Sequence, residues 1–284
     1  MLVKLKNFFS RKNPIIFVDN NSRFNEVLKE ISIEEIIGID TEFDWRNTYF
    51  PKLCLLQIST KKNIFLIDCL QIDSLNKLKG IFENREIVKV FHAVRSDITV
   101  LFSSINLKVN NCFDIQAAEK FLSKDDLKSY AKIVSKYLSL NIDKSETNSN
   151  WLKRPFTESQ INYAANDVRY LIKIYLKQKK VLDGMNSYLI VKELTKKEVK
   201  LGTQKLYIPR LQKLKFNKKI ERDLFMWREN KAMERNVPPS YIFKNKYFKK
   251  ILAIYDENFS KDKILEILKN ENLANDLIST LDRC

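Results

Sequence analysis

Glycine is scarce in this chain: it occurs four times in 284 residues, at Gly38, Gly80, Gly184 and Gly202. None is spaced for G-x-x-x-x-G-K-[ST] or G-x-G-x-x-G, so a Walker-type phosphate loop and a dinucleotide fingerprint are both excluded. Histidine is scarcer still. His92 stands alone, which excludes H-E-x-x-H zinc enzymes and any centre built on two imidazoles. The four cysteines, Cys54, Cys69, Cys112 and Cys284, lie far apart and form no C-x-x-C. A zinc ribbon or disulfide framework does not fit them, whereas a reducing compartment does. No run approaches the ~20 apolar residues of a membrane span. The N-terminal stretch is broken by Lys4, Lys6, Arg11 and Lys12 before a signal-peptide core can form. These absences point to a cytoplasmic protein with no membrane partner.

What is present is positive charge. Lysine and arginine number 51 against 35 acidic residues, a net charge of +16. That excess favours a polyanionic partner, nucleic acid before an anionic membrane. With 44% hydrophobic and 30% charged residues, the rest of the composition is that of an ordinary globular protein. The length fits one large domain, or a medium domain with a small one.

The first half alternates between strand and helix patterns. Residues 36–43, 53–59 and 63–68 read as strands, the last two separated by a turn at Thr60-Lys61-Lys62, and together they predict an antiparallel meander. Helical spacing over 75–82 precedes an apolar strand at 88–93, and another helix follows at 96–103. From Asp114 onward the pattern is helical: 114–122, 127–138, and a long helix from Glu158 to about Lys180. Its start is marked by Thr157-Glu158-Ser159-Gln160, a capping box. Residues 179–215 carry ten basic and three acidic residues, with Gly184, Gly202 and Pro209, and read as an interdomain region. Beyond it, an amphipathic helix over 216–234 and Val237-Pro238-Pro239 open a small all-helical module. Strands with alternating helices, then helices alone, predict an α/β domain with a mixed sheet.

Carboxylates punctuate the ends of these elements. Asp40 and Glu42 flank Thr41 at the end of an apolar strand, and residues i and i+2 of a strand share a face. Two such carboxylates repel unless a cation sits between them. All-oxygen ligands suit Mg²⁺ or Mn²⁺. Asp97 follows the apolar strand ending at Ala93. Tyr163 and Asp167, at i and i+4, share one helix face. Asp114 reads as a helix cap, and the cysteines read as core residues.

In combination these segments become specific. Gly38-Ile39-Asp40-Thr41-Glu42-Phe43, followed by Tyr49-Phe50-Pro51-Lys52-Leu53-Cys54-Leu55-Leu56-Gln57-Ile58, resembles the first exonuclease motif of the ribonuclease D family. Phe91-His92-Ala93 through Asp97 resembles its second. Trp151-Leu152-Lys153-Arg154-Pro155, leading to Tyr163-Ala164-Ala165-Asn166-Asp167, resembles its third, in the Y-x-x-x-D form. The similarity covers roughly residues 15–180. Leu224 to Glu229, Ala232, Arg235, Val237-Pro238-Pro239 and Ile242-Phe243 are similar to a helicase-and-ribonuclease-D C-terminal (HRDC) domain. One departure is Asn150, where the family commonly has aspartate before the tryptophan.

The resemblance implies a ribonuclease H-like mixed sheet with flanking helices, in an exonuclease domain over residues 1–208 with a basic connector at its end. A helical, nucleic-acid-binding HRDC-like domain would follow over 209–284. It also implies a two-metal 3′→5′ exonuclease that releases nucleoside 5′-monophosphates. Two divalent ions, Mg²⁺ or Mn²⁺, about 4 Å apart would clamp both oxygens of an in-line displacement. Asp40 would bridge the ions, Glu42 and Asp167 would complete the water-activating site, and Asp97 would hold the second ion mainly through its water shell. The Tyr163 hydroxyl would orient the attacking water. Phe43 and Trp45 are candidates to stack on a terminal base. Arg95, Arg154 and Arg169 are candidate phosphate contacts. His92, five residues before Asp97, reads as a structural or substrate-contact residue rather than the base. The implied partner is the 3′ end of structured RNA such as tRNA precursors, bound by a monomer. A helicase-type DNA exonuclease and a catalytically inactive nucleic-acid-binding protein are the alternatives. The inactive reading predicts loss of a carboxylate, and all are present.

Overall fold

The computed structural model describes residues 13–142, 146–257 and 260–281. The basic N-terminal stretch as far as residue 12, and Cys284, lie outside them. The chain divides into two compact units, one comprising residues 1–44 and 52–204, the other 45–51 and 205–284.

The first unit is built on six strands: β1 (Ile15–Val18), β2 (Ile36–Asp44), β3 (Lys52–Ser59), β4 (Ile64–Asp68), β5 (Val88–Phe91) and β6 (Cys112–Asp114). Their order in the sheet is β1-β4-β3-β2-β5-β6. The β2–β3 and β3–β4 pairs are antiparallel, which is the predicted meander. The β1–β4, β2–β5 and β5–β6 pairs are parallel, so the sheet is mixed. Every residue of β4, and every residue of β3 after Lys52, is buried. A strand covered on both faces reads as a continuous apolar run, as Leu-Cys-Leu-Leu and Ile-Phe-Leu-Ile do.

Helices cover both faces. Against one pack α1 (Asn21–Ser32), through Phe24, Val27 and Ile31, and α3 (Arg95–Ile105), through Ile98 and Leu101; the short α2 (Lys79–Phe82) adds Ile81 and Phe82. The other face meets α4 (Ile115–Ser123), α5 (Tyr130–Leu138), α6 (Glu158–Arg169) and α7 (Leu171–Gly184). Gly38 allows α7 its close approach to β2, because a Cβ there would stand 3.0 Å from the Leu171 Cβ and 2.5 Å from the Ser59 Oγ.

Two expectations are corrected. The long helix from Glu158 is two helices, α6 and α7, parted at Tyr170. No proline or glycine causes the break. The Tyr130 hydroxyl enters the helix ladder there, accepting from the Tyr170 N–H at 3.3 Å and donating to the Asn166 carbonyl at 3.2 Å. The basic region over 179–215 is mostly helix as well: α8 (Tyr188–Gly202) packs on α3 and β6 inside the first unit. Gly202 serves close packing there, since a Cβ would come within 2.8 Å of the Arg95 carbonyl oxygen.

The second unit contains α9 (Ile208–Gln212), α10 (Lys219–Glu234), α11 (Pro239–Ile242), α12 (Phe248–Asp256), α13 (Lys261–Leu268) and α14 (Glu271–Leu281). Leu224 and Trp227 of α10 pack with Ile251, Ile264 and Leu277, and Tyr49 belongs to the same core. Tyr49 donates its hydroxyl to the fully buried Glu229 at 3.0 Å, and Arg210 Nε meets the same carboxylate at 3.0 Å. Asn236 accepts the main-chain N–H groups of Tyr49 and Phe50. The second unit also includes a segment, 45–51, that precedes β3 in the chain. Among the described residues no helix is long and apolar enough to cross a membrane.

Candidate active site

β2 presents Asp40 and Glu42 on one face, as its period of two requires. Helix α6 lies across β2, β3 and β4. Its entry is fixed by the predicted capping box, in which Thr157 accepts from the Gln160 N–H and the Gln160 side chain accepts from the Thr157 N–H. That start places Asp167 against the strand acids. Carboxylate oxygens of Asp40, Glu42 and Asp167 all lie within 4.8 Å of one another.

Such crowding is electrostatically unfavourable without a cation. Burial raises Asp40 to about 7, eased by the Thr41 N–H. Burial and then the charges of Asp40, Asp167 and Asp97 raise Glu42 to about 10. Burial and then Asp40 raise Asp167 to about 8, with a hydrogen bond from Tyr163 working the other way. Three carboxylates with no nitrogen or sulfur among them match a hard divalent cation, whose charge would reverse these shifts.

Asp97 stands beside the trio rather than within it. It occupies the first turn of α3 and accepts the Thr41 hydroxyl at 2.7 Å. Burial and the Asp40 charge raise it well above the usual carboxylate range. The turn delivering it is held by Asp114, which accepts from the Ala93 and Val94 N–H groups at 3.0 and 3.1 Å and also caps α4. Ala93 is in the left-handed region, φ 59°. The sequence shows Asp114 only as the cap, because its second pair of donors lies in the turn after β5, some 20 residues earlier. Thr41 escaped notice as the spacer between two acids.

Tyr163 points its hydroxyl to within 3.3 Å of the Thr147 hydroxyl, with the Trp151 ring 6.1 Å from its own. Burial and then Asp167 raise the phenol above its ordinary value, so it is a neutral hydroxyl at physiological pH.

The candidate substrate contacts separate. Arg154 does not match a phosphate contact. Its Nε and one terminal nitrogen hold Asp68, the same nitrogen reaches the Cys54 carbonyl, and the other serves the Trp151 and Lys153 carbonyls. All five N–H groups of the guanidinium are thereby taken up internally. Arg95 pairs with Glu198 on α8. Arg169 donates to the Asn166 side chain and the Asn13 carbonyl. Phe43 is half-buried against the core on the α1 side. Trp45, 40% exposed, belongs to the second unit and donates its indole N–H to the Tyr49 carbonyl. His92 Nε2 lies 3.1 Å from the Lys128 carbonyl oxygen, and its ring packs 5.5 Å from that of Tyr130.

The raised acids predict a pH dependence. Without divalent cations, thermal stability should fall as pH rises from about 5 to 9. In the unfolded chain these carboxylates lose their protons near pH 4, whereas the folded site holds them up to the values above. The folded state therefore binds more protons across that window and is progressively disfavoured as they leave. Saturating Mg²⁺ should raise the Tm most at the alkaline end. A calorimetric Tm that stays flat with pH in chelator would contradict the crowding of the acids.

A mixed sheet carrying carboxylates from β2 and α6 at one point is the architecture of a 3′-5′ exonuclease, and the 3'-5' exonuclease family model matches residues 15–183. The HRDC domain model matches residues 217–256. Ribonuclease D of Desulfotalea psychrophila is 32% identical over 263 residues, 87% of this chain and 66% of that protein. Ribonuclease D of Haemophilus influenzae is 30% identical over 285 residues, 93% of this chain and 71% of that protein. The chain belongs to the ribonuclease D family. It spans about two thirds of the length of these curated relatives. Among solved structures, Escherichia coli RNase D, described as an exoribonuclease involved in structured RNA processing, superposes with a TM-score of 0.80. It is 22% identical, with 95% of this chain and 74% of that chain covered, and it shares the ribonuclease H-like fold.

Proposed function

We propose that the chain is a metal-dependent 3′→5′ exoribonuclease that trims the 3′ ends of structured RNAs, tRNA precursors among them, in the cytoplasm. The observation carrying this reading is the meeting of Asp40, Glu42 and Asp167 oxygens within 4.8 Å. Two divalent ions, Mg²⁺ or Mn²⁺, would supply water activation and neutralise the charge developing on the phosphate. Asp40 would be the ligand shared by the ions, Glu42 and Asp167 would complete the water-activating side, and Asp97 would serve the second ion. The neutral Tyr163 hydroxyl orients the attacking water and need not take its proton. RNA as substrate is supported by the ribonuclease D relatives, by the RNA-bound ribonuclease D of Trypanosoma brucei and by the net charge of +16. Mg²⁺ is supported by its presence in the Brucella melitensis NrnC structure. The buried free thiols of Cys54, Cys69 and Cys112 suit a reducing compartment.

The first unit carries the chemistry, and the basic second unit adds grip on the RNA body. Phosphate contacts release counterions, so binding weakens steeply with salt. End-labelled RNA and matched DNA, offered with and without Mg²⁺, test the whole reading. A metal-dependent ladder of single-nucleotide steps on RNA is the expected result. A ladder on DNA alone would reassign the substrate, and no ladder on either would refute the activity.

A further inference from the structure

The break between α6 and α7 lies in the turn that carries Asp167. In an uninterrupted helix the Tyr170 N–H would bond the Asn166 carbonyl. Here the Tyr130 hydroxyl stands between them, accepting from the first at 3.3 Å and donating to the second at 3.2 Å. Tyr130 is itself buried and firmly seated. It opens α5, and the Lys128 carbonyl just before that helix accepts from Gln116 Nε2 at 3.0 Å and lies 3.1 Å from His92 Nε2. The His92 ring packs against the phenol. On the other side of the same turn, the Ser59 hydroxyl donates to the Val168 carbonyl at 2.8 Å. Two hydroxyls from outside the helix therefore hold the main chain on both sides of Asp167. Tyr130 is also close enough for the Asp167 charge to be the foremost electrostatic influence on its phenol.

We infer that Tyr130 is a positioning residue for the metal site: its hydroxyl, inserted into the helix at 166–170, sets the turn that aims Asp167 at Asp40 and Glu42. The inference rests on the exonuclease reading. It also gives His92 a task, that of seating Tyr130, which does not require contact with RNA. A purely structural tyrosine would affect stability alone, whereas a positioning one changes how tightly the cation is held.

The test is Mn²⁺ titration of the full chain by electron paramagnetic resonance, comparing wild type with Tyr130→Phe, alongside kcat and KM on a short RNA. The variant should bind Mn²⁺ more weakly, on the order of 10–100-fold, the scale on which groups orienting a metal ligand act. Its kcat should fall at limiting metal and recover as Mn²⁺ is raised, with KM for RNA unchanged. Mn²⁺ affinity within twofold of wild type would overturn the inference, whatever happens to the Tm. If Tyr130→Phe does not fold, His92→Phe is titrated instead. It keeps an aromatic ring against Tyr130 but loses the contact with Lys128, and unchanged Mn²⁺ affinity there would equally overturn it. A wild-type protein that neither binds Mn²⁺ nor trims RNA would refute the exonuclease reading itself, and this inference with it.

Discussion

Asp40→Asn should leave a folded protein with almost no exonuclease activity. The amide matches the carboxylate in shape, so β2 and its pairing with β3 are undisturbed. What disappears is the shared anionic ligand, and with it the charge that would hold both ions. The substitution also removes one of the repelling charges: Asp40 is the largest electrostatic contributor to the raised pKa of both Glu42 and Asp167. The metal-free variant should therefore unfold at a higher temperature than metal-free wild type at alkaline pH, while Mg²⁺ should stabilise it far less. Loss of activity with gain of apo stability separates removal of a ligand from damage to the fold. Trimming of end-labelled RNA at the wild-type rate would refute the metal assignment.

Tyr163→Phe should lower turnover on the order of 10–1000-fold with little change in RNA affinity, because it deletes only the hydroxyl proposed to orient the attacking water. The ring stays, and with it the packing against Trp151. Burial and Asp167 keep the phenol protonated, so the loss is one of geometry and not of a general base. The measurement is single-turnover cleavage at saturating RNA. Unchanged turnover, with chemistry rate-limiting, would remove Tyr163 from the mechanism. His92→Ala is the companion experiment: collapse there with Tyr163→Phe still active would make the histidine the base.

The features legible in the sequence are those set by local periodicity. Asp40 and Glu42 share a face because a strand alternates, Tyr163 and Asp167 because a helix turns, and Thr157 with Gln160 marks the start of α6 within four residues. That these faces meet follows from no periodicity, and the resemblance to an exonuclease family supplied it. The features that escaped depend on distant partners or on too few residues. β6 is three residues long, too short to show alternation, and β1 is four. The break at Tyr170 is made by a hydroxyl from a residue 40 positions earlier. Arg154 looked available for phosphate because its main partner, Asp68, lies 86 residues away. Helix α8 resembled a linker through its lysines and Gly202, yet that glycine marks a tight helix contact.

The segment 45–51 has a consequence for how the protein is made. It directly follows the strand that bears Asp40 and Glu42, but its packing partners belong to the second unit. Tyr49 leaves the ribosome 180 residues ahead of Glu229. At translation rates of about 5–20 residues per second, that interval is roughly 10–40 s. Through this time the nascent chain holds its acidic strand while the phenol of Tyr49 lacks the carboxylate that buries with it. The connection between β2 and β3 thus takes its final form only after the C-terminal helices have emerged. A chain interrupted before residue 205 would keep every carboxylate of the site and still leave that connection unfinished.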